Sequence, residues 1–101
     1  MPARSHQYRV TLEHLATPDG QPPATPASLQ FTVGNHDEVL GIVERIRARG
    51  EFDADTSAAF AVGLKLLGEV MLTHRGHPLF SELGPQFGAF MKKLKGRPPE
   101  A

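Results

Sequence analysis

Apolar and polar positions alternate with period two in two stretches of the chain and recur at helical spacing in three others. That rhythm sets out the elements. Between Gln7 and Leu15, Tyr8, Val10 and Leu12 alternate with Arg9, Thr11 and Glu13, which predicts a half-buried strand. Leu29, Phe31 and Val33 alternate with Ser28, Gln30 and Thr32 in the same way and predict a second. Between them, Ala16 to Ala27 carries Pro18-Asp19-Gly20 and then Pro22, Pro23 and Pro26, a surface loop by its turn chemistry. An antiparallel hairpin is the simplest pairing, although the loop is long for one.

Helical spacing begins after Gly34. Val39, Ile42, Val43 and Ile46 form an i, i+3, i+4, i+7 stripe, with Asn35 as the expected N-cap, Glu38 completing a capping box, and Gly50 as the stop. Phe52 is expected to tuck into the core. Asp53, Asp55 and Thr56 compete to cap a second helix running to about His74. That helix is apolar nearly all round. Phe60, Leu64, Leu67 and Met71 make one stripe, Ala59, Gly63, Leu66 and Val70 another, and only Lys65 and Glu69 interrupt the circumference. Such a helix needs cover on nearly every side, from its own domain or from a partner.

After a break at Arg75-Gly76-His77-Pro78, Leu79, Phe80 and Leu83 open a third helical segment. Gly84-Pro85 interrupts or restarts it, and Phe87, Phe90, Met91 and Leu94 complete its apolar face. The predicted fold is α+β: a two-stranded antiparallel β-hairpin followed by three helical segments, with the central apolar helix at about Thr56–His74 as the hub. It is expected as a single domain over residues 7–95, with flexible ends at 1–6 and 96–101.

Composition narrows the function classes. The chain has 101 residues, 11 basic against 11 acidic, and no cysteine. Balanced charge gives no footprint for nucleic acid or an anionic membrane. Without cysteine there are no disulfides, thiolate metal sites or thiol nucleophiles. Met1 to His6 lacks the apolar core of a secretory signal, and Ala58–Leu72 is too short for a membrane span and carries Lys65 and Glu69. The expectation is a soluble cytoplasmic protein.

The candidate chemistry is thin. Lys65 and Glu69, the only charges on the crowded helix, could form a partly buried acid–base pair assisted by His74, or simply a solvated i, i+4 stripe. The second reading is preferred, since ion pairs at helical spacing are commoner than catalytic ones. His74 and His77 are separated by Gly76, and His36-Asp37 lies elsewhere, so no metal-ligand signature appears. No serine sits in a nucleophile elbow and no glycine-rich phosphate loop is present. Lys92, Lys93, Lys95 and Arg97 read as a solubilising helix end. Ala59 with Gly63, and Gly84 with Gly88, are small pairs at i, i+4 that would let another helix approach closely.

The strings Asn35-His36-Asp37, Ala59 to Leu66, Glu69 to Leu72, His77 to Phe80 and Phe87 to Leu94 resemble those of a family of short bacterial proteins, a domain of unknown function. The likeness spans Tyr8 to Lys95, with the Pro18–Pro26 insert its least typical part. The resemblance implies a cytoplasmic bacterial protein and transfers no activity, cofactor or site residue. Taken together, the sequence points to a homodimeric binding or regulatory module, with no cofactor, no membrane, no nucleic acid, and an unidentified protein as further partner. The alternative is a small enzyme or ligand-binding protein with a pocket near Lys65, Glu69 and His74.

Overall fold

A computed structural model describes residues 5–96. The elements run β1 (His6–Glu13), β2 (Ser28–Asn35), α1 (Val39–Arg49), α2 (Ala54–Thr73), a 3₁₀ turn at Pro78–Phe80, and α3 (Leu83–Gly96). This is the hairpin followed by three helices that the periodicity predicts. The chain divides into two compact units, one up to Asp37 and one from Glu38 onward. The expected flexible ends lie largely outside the described residues, as does Arg97.

In the first unit β1 and β2 pair antiparallel, in a register that runs from His6 opposite Asn35 to Glu13 opposite Ser28. The alternation is the cause. Facing residues share a side of the sheet, so Tyr8 with Val33, Val10 with Phe31 and Leu12 with Leu29 gather on one face. The long loop does not prevent pairing because it folds back on itself. The His14 N–H donates to the Ala27 carbonyl at 3.3 Å, one step beyond the strands. At the tip Thr17 N–H reaches the Gln21 carbonyl at 2.8 Å, around a turn closed by Gly20 N–H to the Thr17 carbonyl at 2.8 Å. Pro18 presets the turn, and Gly20 takes the left-handed conformation, φ 87°, that closes it. The Asp19 carboxylate accepts from the Thr17 hydroxyl and the Gln21 N–H, and these bonds hold its carboxyl below the usual aspartate range.

The start of α1 differs from expectation. Asn35 is buried and its Oδ1 accepts the Asp37 N–H at 3.0 Å, a local turn before the helix. The cap is Glu38, whose two carboxylate oxygens each accept an N–H at 3.0 Å, from Leu40 and Gly41. The Glu38 side chain, at the boundary itself, reaches two orphan amides, while Asn35 lies three residues upstream. At the other end Gly50 adopts φ 75° and donates to the Arg47 carbonyl, as a helix stop requires. The arginines there do more than complement the helix dipole. Arg47 Nε donates to the Ala54 carbonyl at 3.1 Å. Arg49 grips Glu51 and donates to the Leu94 carbonyl at 3.3 Å, tying α1 to the end of α3.

α2 is capped by Asp53, whose Oδ1 accepts the Thr56 N–H at 2.7 Å. Hydrogen bonds from Thr56 hold the Asp53 carboxyl below its ordinary value. A lowered folded value means that the charged cap stabilises the fold. Its contribution is complete above the unfolded aspartate value of about 3.9 and is lost as pH falls through the lower folded one. An Asp53→Asn chain keeps an acceptor but cannot titrate. Its urea midpoint is expected to fall less than the parent's between about pH 7 and about pH 3; an equal fall would remove Asp53 from the acid response.

The core of the second unit is small. Val43, Ile46 and Ala61 form its buried cluster, with Ile42, Ala58, Phe60 and Val62 packed around it. Ala61 is 0% exposed because α1 crosses there, and the neighbouring Ser57 is satisfied by donating to the Phe52 carbonyl at 3.3 Å. α3 meets α2 through aromatic rings: Phe90 stands edge-on to Phe60 at 6.3 Å, and Phe87 lies over Gly68. α3 restarts the chain at Leu83, so Pro85 falls in its first turn, where the missing amide costs nothing. Phe52 is not tucked away as expected. It is 45% exposed and rests its ring 5.6 Å from Phe60 at the margin of the cluster.

Candidate functional site

α2 is covered on two flanks and open on a third. Ala58, Ala61 and Val62 face the α1 side, while Phe60 and Gly68 face α3. What remains is an exposed line along the helix: Thr56, Ala59, Gly63, Leu67 and Val70. Leu67 is 39% and Val70 47% exposed. No charged residue lies on this line.

Lys65 and Glu69 therefore do not form the helix's solvated edge, contrary to the preferred sequence reading. Both are half-buried, on the flank that continues Ala58, Ala61 and Val62. The reason is geometric. Lys65 follows Ala61 by four residues and Ala58 by seven, so it shares their side of the helix. The water-facing line is the apolar one, at helical spacing from Ala59. This inversion is the most unusual chemistry in the structure, since an exposed apolar stripe is informative where scattered exposed leucines are not.

Gly63 sits in the middle of that line. A side-chain carbon built there would meet no atom of the described residues within 4 Å. Glycine inside a helix costs about 1 kcal/mol relative to alanine, and no close packing among the described residues returns that cost. Gly68 differs, because Phe87 lies 3.5 Å from where its side chain would begin. At the other small pair, Gly84 and Gly88, a side-chain carbon would meet no atom of the described residues within 4 Å, so none of the described helices crosses closely there.

The three residues of the speculative polar cluster are not drawn together. Lys65 and Glu69 stand one turn apart on α2, whereas His74 is exposed beyond its end. His74 Nδ1 lies 2.9 Å from the Val70 carbonyl and 3.0 Å from the Thr73 hydroxyl, so its ring closes the terminus of its own helix. His77 is likewise occupied locally, its Nδ1 accepting the Leu79 N–H at 3.1 Å. His36 lies 3.7 Å from Asp37. Among the described residues no three histidine or acidic side chains converge as a metal site.

The hairpin unit also presents apolar surface. Its apolar face is half-covered at Tyr8, Val10 and Val33 and exposed at Phe31, Leu29 and Leu12. The period-two pattern made that face legible in the sequence. The open line of α2 was not, because every side of that helix is apolar.

The helix α2 is also long and apolar enough to cross a membrane by length and composition, and 11% of that stretch is buried. Its 20 residues overturn the expectation that the apolar segment is too short. On its flanks, α1 exposes Glu44, Arg45 and Arg47, and α3 exposes Lys92, Lys93 and Lys95.

No curated protein matches the chain. Among solved structures, a crystal structure of a protein of unknown function from Pectobacterium atrosepticum SCRI1043 is similar. It is 34% identical, the match covers 92% of this chain and 99% of that one, and the TM-score is 0.79. The pattern of DUF3861, a domain of unknown function represented among solved structures, matches residues 6–96. With the hairpin, the three helices and the whole apolar stripe inside that match, the chain belongs to the DUF3861 family.

Proposed function

We propose that the protein is a small cytoplasmic homodimer acting as a binding or regulatory module, held together through the open face of α2. The observation that carries this reading is the charge-free line Thr56, Ala59, Gly63, Leu67 and Val70 lying in solvent while the helix's own charged pair is half-buried. The small core supports it. Among the described residues the buried apolar side chains are Val39, Val43, Ile46 and Ala61. A chain of this size gains little from so few, and association adds the missing burial.

Balanced charge and the absence of cysteine fit a reducing cytosol. Catalysis has less support, because His74 is spent on its own helix end. Size-exclusion chromatography with light scattering at micromolar concentration is expected to give twice the chain mass. A clean monomer overturns the reading, and a monomer that also sediments with phospholipid vesicles assigns α2 to a lipid phase instead.

A further inference from the structure

We propose that two copies of the chain meet α2 against α2, antiparallel, about a two-fold axis passing at Gly63. This rests on the self-association argued above and adds its geometry. The exposed line is spaced three, four, four and three residues apart, so it reads the same in both directions from Gly63. In a symmetric antiparallel pair, positions equidistant from the axis meet each other. Ala59 then lies against the partner's Leu67, and Thr56 against the partner's Val70.

Size complements size in that arrangement. Ala59 on the N-terminal arm is small and Leu67 on the C-terminal arm is large, so that pair sets a small residue on a large one, while Thr56 and Val70 are nearly equal in size. A parallel pair would instead set leucine on leucine at one end and alanine on alanine at the other, crowding one and emptying the other. Gly63 falls on the axis, where the two backbones come closest, and the space above it is free of atoms of the described residues to 4 Å. It is also central, within the helix Ala54–Thr73. Neither Lys65 nor Glu69 lies on the line, so no charge is desolvated in the contact. Antiparallel helices also oppose their dipoles favourably.

The area is sufficient. The helix is about 30 Å long, and the half-exposed rings of Phe52 and Phe90 flank the line through Phe60. Complete burial of the line and of both rings would cover roughly 500 Å² per copy, about 1,000 Å² in all, the lower bound for a specific interface. The occupant the face fits is a second copy of this chain.

The chain has no cysteine, so introduced ones report without background. An Ala59→Cys/Leu67→Cys double variant is expected to convert to disulfide-linked dimer under mild oxidation. Each single variant is expected to stay uncrosslinked, because its two copies lie about 12 Å apart along the helix axes, beyond the roughly 7 Å limit between bridged Cα atoms. The same spacing forbids a bridge within one chain. A Thr56→Cys/Val70→Cys pair repeats the test farther from the axis, should the first variant misfold by circular dichroism. Single variants that crosslink efficiently would show a parallel dimer and overturn the proposal. Folded double variants that do not crosslink, in protein that light scattering finds dimeric, overturn this geometry and leave the dimer standing. Monomer throughout overturns both.

Discussion

An Ile46→Ala chain is expected to lose about 2–5 kcal/mol of stability, most of what a domain this small possesses. Ile46 is 6% exposed and sits in the cluster with Val43 and Ala61, where α1 crosses α2. Truncating it removes three carbons from contact and leaves a cavity that Ala61, already at its smallest, cannot fill. The redundancy that lets a large core relax is absent, since the cluster holds three buried residues. Urea unfolding followed by circular dichroism should show a midpoint far below the parent's, or no cooperative transition at physiological temperature. Ile46→Val, which removes one carbon, should cost about 0.5–1.5 kcal/mol. A loss under about 1 kcal/mol for the alanine variant would mean that the crossing is not the centre of stability.

A Leu67→Glu chain is expected to fold and to lose its partner. Leu67 is 39% exposed within one chain, so its replacement leaves the internal packing of α2 largely intact. In the proposed dimer the same position faces another copy, and symmetry applies the substitution twice. Two lost leucine contacts and two carboxylates without a countercharge should cost at least about 3 kcal/mol of association, roughly a hundredfold in dissociation constant. Sedimentation at graded concentrations would show monomer where the parent is dimer, and the variant's melting temperature would cease to depend on concentration. Unchanged association would place the contact elsewhere on the molecule.

These two variants separate the inside of the helical unit from its outer face. Ile46 was legible from sequence, as the last position of an i, i+3, i+4, i+7 stripe with a polar opposite side. Leu67 was not, because at helical spacing it has the same standing as Phe60, Leu64 and Met71. Phe52 shows a similar limit. An isolated aromatic between two helices carries no periodicity, so its exposure depends on what lies beside it, which is the ring of Phe60. Asn35 and Glu38 compete for one cap, and a shift of three residues in where the helix begins decides between them.

What the sequence determines by itself is the set of elements. Alternation specifies the hairpin and the face it gathers its apolar side chains on, helical spacing specifies three helices, and Asp53, Gly50 and Pro85 mark helix boundaries. Those signals are local, acting over one or two turns or across one pair of strands. What only the tertiary structure decides is which side of α2 remains in water. A helix apolar around most of its circumference has no preferred direction of burial, so its orientation follows from where α1 and α3 come to rest. They cover the sides that hold Ala61 and Phe60 and leave the line through Gly63 open.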